Sequence, residues 1–175
     1  MPRTVDDEGK DFLKGLEGCK LVAYQDDGGV WTIAYGSTRG VRPGDTLTQA
    51  QADELFELEL PYYERIVNAN VLIPLTQKEF NAIVAFVYNV GPGRKGVKDG
   101  FVELKAGGPS TLLRKLNDGD KRGAAKEFPR WCYVSKGEKK EFNFGVKRRH
   151  YREARLFLRG AGIAWAEVFP EVPEP

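Results

Sequence analysis

Three residues in the stretch GLEGCKLVAYQDDGGVWTIAYGST (residues 15–38) have types and spacing that could do chemistry: Glu17, Asp26 nine positions on, and Thr32 six further. Two carboxyl groups in unlike surroundings can divide acid–base work. One stays protonated in a dry, apolar setting and gives up a proton; the other stays ionised in a polar setting and handles water or developing positive charge. Cleavage of a glycosidic bond asks for such a pair, held roughly 5–10 Å apart across the sugar linkage. Glu17 follows Leu16 and lies near Leu13, which is an apolar flank, whereas Asp26 opens a polar Asp-Asp-Gly-Gly turn. Asp27 is adjacent but out of register, so Asp26 is the candidate. Thr32 could add a hydroxyl that steers a water or supports Asp26. Spacing alone is a weak signal, because a glutamate at a helix end and an aspartate in a turn are most often solvated or capping residues.

The elements that must hold these groups can be read from the pattern. Phe12, Leu13 and Leu16 share one helical face between Asp7 and Glu17, and Gly18 is a natural stop. LVAYQ and VWTIAY are rich in β-branched and aromatic residues and flank the Asp-Asp-Gly-Gly turn, which predicts a hairpin over Lys20 to Tyr35. Thr48 with Gln51 makes a capping box for a helix in which Pro61 marks a kink. Thr76 with Glu79 repeats the signature before FNAIVAFVYNVG, whose broad apolar stripe predicts the most buried helix, ended by Gly91. Residues 92–109 read as a loop holding one short helical turn. Ser110 or Thr111, and then Asp120, cap two further short helices. Lys136 to Glu141 reads as an exposed loop, FGVKRRHYREARLFLRG as a last amphipathic helix, and residues 166–175 as a poorly ordered tail. The expected class is α+β: a small hairpin lobe over about 18–47, a larger helical lobe over about 70–165, and a cleft between them.

Composition narrows the chemistry. With 41% hydrophobic residues in 175, one domain or two small lobes can bury a core without disulfides or metal. No apolar run reaches the ~18 residues of a membrane span, and the polar, acidic start is unlike a signal peptide, so no stable membrane insertion is expected. Cys19 and Cys132 are expected as free thiols, and with His150 the only histidine, no metal or other cofactor is expected. A Ser-His or Cys-His hydrolase would have to use His150, which lies among arginines and reads as a solvated residue. Residues 1–93 carry 8 basic and 14 acidic side chains; residues 94–175 carry 19 and 11. Such a split could draw two lobes together across a cleft or let the basic half hold an anionic polymer, and charge alone does not choose. Glu127, Glu138, Glu141 and Glu153 interrupt the basic half and no nucleic-acid motif accompanies it, so nucleic acid is not the expected partner.

The segment Glu17-Gly18-x-x-Leu21-x-Ala23-Tyr24-x-Asp26-x-x-Gly29-x-x-Thr32-Ile33-x-Tyr35-Gly36 closely resembles the signature of the phage-type lysozymes, the family 24 glycoside hydrolases. LTQKEFNAIVAFVYNVG, STLLRKLNDGD with AAKEFPRW, and FGVKRRHYREARLFL resemble later blocks of that family in the same order. Ala34 stands where glycine or cysteine is common, Ser37 where some relatives have histidine, and the loop over 92–109 is longer than in the shortest members. The resemblance implies a lysozyme-like fold and an endolysin muramidase that cuts the β-1,4 bond between N-acetylmuramic acid and N-acetylglucosamine in peptidoglycan. Glu17 would be the general acid. Asp26 with Thr32 would position or activate the water, or stabilise oxocarbenium charge. Tyr88, Asn89, Arg130 and Arg148 are implied substrate-binding residues; Arg148 or Arg149 could approach Glu17. It also implies a monomer made in the host cytoplasm, released by a separate holin and acting at the wall. A lytic transglycosylase and a non-catalytic wall-binding module are the alternatives.

Overall fold

A computed structural model describes residues 2–26, 28–136 and 139–175; the Asp27 reading above lies outside them, as do Gly137 and Glu138. Helix α1 (Asp7–Glu17) starts where the Asp6 side chain accepts from Gly9 N at 3.0 Å and ends at Gly18, whose φ is 67°. Strands β1 (Lys20–Gln25) and β2 (Trp31–Ala34) then pair antiparallel, with Tyr24 opposite Thr32 and an irregularity between Lys20 and Tyr24. The chain returns along the other edge of β1, where Ala23 N donates to Asp45 O and Leu47 N to Leu21 O, each at 2.9 Å. The expected hairpin is present.

Both capping boxes are formed. Thr48 and Gln51 open α2 (Gln49–Asn70), which runs through Pro61; Thr76 and Glu79 open α3 (Gln77–Val90), which stops at Gly91. Residues 79 to 87 of α3 are all buried, because the helix is wrapped by α1, α2 and α6 (Phe144–Ala161). Phe86 sits at the centre, within ring contact of Phe101, Phe128 and Trp131. Ser110 caps α4 (Thr111–Asn117) and Asp120 caps α5 (Lys121–Glu127), followed by a 3-10 turn over Phe128–Arg130. Cys19 and Cys132 are free thiols.

Three expectations change. The loop over 92–109 has no helical turn among its described residues. It is folded on itself so closely that a carbon added at Gly93 would lie 2.6 Å from Gly100 N. Lys136 and Lys139–Glu141, read as part of a loop, belong instead to a second hairpin, β3 (Tyr133–Lys136) with β4 (Lys139–Phe142), in register Tyr133 opposite Phe142. Charged residues alternate poorly there, so the pattern hid the strands. The tail is not loose: α7 (Trp165–Val168) begins it, Trp165 Nε1 donates to Val172 O, and Arg155 and Arg159 of α6 both reach Glu174. Trp165 and Phe169 are mostly buried against Tyr151, burial that the Pro- and Glu-rich composition conceals.

Candidate active site

Glu17 is the last residue of α1, and Leu13 one turn earlier is fully buried, which anchors the helix end. The side chain of Glu17 is 14% exposed. Its Oε1 accepts from Arg149 Nη2 at 2.5 Å. Toward Oε2 stands Gly36: a side-chain carbon there would lie 3.6 Å away, and the φ of 97° admits glycine where other residues would be strained.

The turn that carries Gly36 is closed by Ile33 N donating to Ser37 O and Ser37 N to Ile33 O. Helices tie it down on both flanks. Tyr35 Oη donates to Asp53 Oδ1 at 2.8 Å, Ser37 Oγ donates to Glu59 Oε2 at 2.6 Å, and Tyr88 Oη donates to Tyr35 O at 3.0 Å. Tyr88 and Tyr63 stack at 4.5 Å beside Glu17 and Glu59. Burial, reinforced by Glu17 and Glu59, pushes the Tyr88 phenol well above its ordinary range, and burial with Glu59 pushes Tyr63 up to about 12. Both phenols therefore stay protonated, and Tyr88 serves as a donor.

Asp26 lies exposed at the hairpin loop. Its Oδ1 accepts from Gly28 N at 2.9 Å and Val30 N at 2.8 Å, so one carboxylate oxygen organises the loop. Thr32 is 4% exposed and donates its hydroxyl to Val30 O at 3.0 Å. The two side chains thus grip Val30 from opposite ends of its peptide units, which makes them parts of one device on the hairpin.

Tyr88 belongs to the Glu17 cluster, and Asn89 is exposed at the end of the same helix. Arg130 is 71% exposed at its side chain and bonds Glu127, which Lys115 also holds at 2.7 Å. Of the paired arginines, Arg149 reaches Glu17 while Arg148 is exposed. Positions 146, 149, 150 and 153 share a helix face, and Arg148 lies off it. That face also corrects the reading of His150 as solvated. It is fully buried, packed 5.1 Å from Phe86, with Nδ1 2.6 Å from Glu153 Oε2. Glu153, also fully buried, accepts at Oε1 from Arg149 Nε at 2.9 Å. Burial pulls the Arg149 pKa down, but Glu153 and then Glu17 outweigh it and hold the guanidinium firmly cationic. Sequence reasoning missed Glu59, Tyr63 and Glu153; only the helical spacing of Glu153 from Arg149 could have flagged one of them.

The phage lysozyme family model matches residues 14–153, a span that holds Glu17, Asp26, Thr32 and Arg149. The chain belongs to the phage lysozyme family. It is 33% identical over 153 residues to the endolysin of Acyrthosiphon pisum secondary endosymbiont phage 1, covering 87% of this chain and 97% of that one. Among solved structures, it superposes on the endolysin from Escherichia coli O157:H7 phage FAHEc1 with a TM-score of 0.75 at 30% identity, covering 89% and 94% of the two chains. The muramidase domain of SpmX from Asticaccaulis excentricus gives 0.73 at 30% identity, covering 89% and 99%. The fold is therefore lysozyme-like and α+β, as expected, and this lysozyme is a glycoside hydrolase of the endolysin type.

Proposed function

We propose that this endolysin hydrolyses the β-1,4 bond between N-acetylmuramic acid and N-acetylglucosamine, with Glu17 as general acid and Asp26 with Thr32 on the water side. The observation that carries the reading is the contrast between the two carboxyls. Glu17 is largely withdrawn from solvent at a helix end, whereas Asp26 is exposed and solvated by two backbone amides. A withdrawn carboxyl can keep and deliver a proton to the leaving oxygen; an amide-solvated one can orient water or face positive charge on the sugar ring. Thr32 fixes the loop that presents Asp26. Tyr88 supports the turn beside Glu17, while Asn89, Arg130 and Arg148 are exposed groups that would meet sugars or stem-peptide carboxylates. Among the described residues no helix is long and apolar enough to cross a membrane. We place the protein in the host cytoplasm until a holin opens the route to the wall, acting there as a monomer.

Release of reducing sugar from purified peptidoglycan tests this. Glu17→Gln should lower turnover by about 100-fold or more, the usual worth of a general acid, with circular dichroism unchanged. Near wild-type turnover in that variant would end the assignment, and a 1,6-anhydro product would make the enzyme a transglycosylase.

A further inference from the structure

The reading of Glu17 as a general acid meets a difficulty in its own surroundings. A guanidinium 2.5 Å from a carboxyl favours the ionised form, yet a general acid must keep its proton. The other neighbours of Glu17 do not pair with the cation: Tyr88 from α3 and Tyr63 from α2 are neutral, and Glu59, whose charge reaches those phenols, bonds Ser37 and makes no ion pair with Arg149 among the described residues. The relief lies behind Arg149. Its Nη2 faces Glu17, while its Nε faces Glu153 at 2.9 Å, and Glu153 has no solvent exposure. A buried carboxylate spends little of its charge on water, so nearly all of it acts on what it touches. The other oxygen of Glu153 meets His150 Nδ1 at 2.6 Å, and His150 Nε2, on a ring packed against Phe86, is buried with no hydrogen-bond partner among the described residues. Of the two ring nitrogens only Nδ1 has an acceptor in reach, so the N–H that the site can use is the one donated to Glu153.

Resting on the assignment of Glu17 as the acid, we propose that Glu153, held in place by His150, is a positioning residue that takes up the charge of Arg149, so that the guanidinium can orient Glu17 without stripping its proton. The buried line Glu17–Arg149–Glu153–His150 has one positive group flanked by two carboxyl groups, and only one of those need be ionised for the line to be neutral. With Glu153 ionised, Glu17 is free to be the protonated one. Of the charges that hold Arg149 cationic, that of Glu153 is the larger Coulombic pull, ahead of Glu17.

The test is the pH dependence of kcat/KM for reducing-sugar release. In Glu153→Gln the charge of Arg149 falls on Glu17 alone, so the descending limb should move to lower pH by about 1 unit, a tenfold loss of activity at any pH above it. His150→Phe removes the donor that keeps Glu153 ionised and should move the limb the same way by a smaller step. His150→Asn, which retains an N–H, should return it toward the wild-type position. A merely structural role would lower turnover at every pH and leave the limb where it stands, and that outcome overturns the proposal. Should Glu153→Gln fail to fold, the contrast between His150→Phe and His150→Asn decides alone, equal limbs counting against the idea. Wild type without reducing-sugar release would instead defeat the assignment of the activity itself.

Discussion

Removing the hydroxyl of Ser37 should loosen the turn that faces Glu17, and the structure allows the effect to be worked through. Ser37 is 5% exposed, and its short bond to Glu59 is the tie between the far end of that turn and α2. A hydrogen bond to a charged group contributes about 1.5–3 kcal/mol net. Glu59 is only half-buried and water can partly replace the lost donor, so Ser37→Ala should destabilise by about 1.5 kcal/mol, at the low end of that range. For a chain of this size that is a fall in Tm of about 3–6 °C. Ala34 and Gly36 in the same turn have φ of 55° and 97°, so the segment has little conformational slack of its own. Once released at Ser37 it should shift Gly36 against Glu17 and reduce turnover by about 3- to 10-fold, because small misplacements at a reacting group are costly. A double-mutant cycle with Glu59→Ala, measured by urea unfolding, should give a coupling of about 1 kcal/mol. A coupling below about 0.3 kcal/mol would mean that the bond contributes nothing in solution. Loss of stability with full turnover would mean that the turn does not govern the surroundings of Glu17.

Other outcomes follow from the same contacts. Hydrogen bonds from Lys14 first, then Tyr35 and Gln49, lower the Asp53 pKa from 3.8 to about 2. A lowered carboxyl pKa stabilises the fold above its unfolded value and loses that contribution as pH falls through the folded one. Asp53→Asn should therefore flatten the acid side of the stability profile between pH 3.8 and about 2, measured by thermal melts. Phe86→Ala, at a fully buried residue in contact with three aromatic rings and His150, should destabilise by about 4 kcal/mol in urea titration.

Much of the fold is written in short-range signals. The capping boxes at Thr48 and Thr76, the stop at Gly91 and the glycine turn between β1 and β2 each act over a few residues, and each element stands where its signal lies. The 9- and 6-residue intervals joining Glu17, Asp26 and Thr32 are of the same kind, since a helix end and a hairpin loop in direct succession leave few arrangements open. Tertiary structure alone decided the rest. Arg149 meets Glu17 across 132 positions of chain, and which of two adjacent arginines does so depends on how α6 is rotated against α3. That rotation is set by burying Ala154, Phe157 and Leu158, and it carries His150 and Glu153 inward although their types predict solvent. The second hairpin and the packed tail have the same origin: polar segments are held by partners elsewhere in the chain, and no local pattern records a partner.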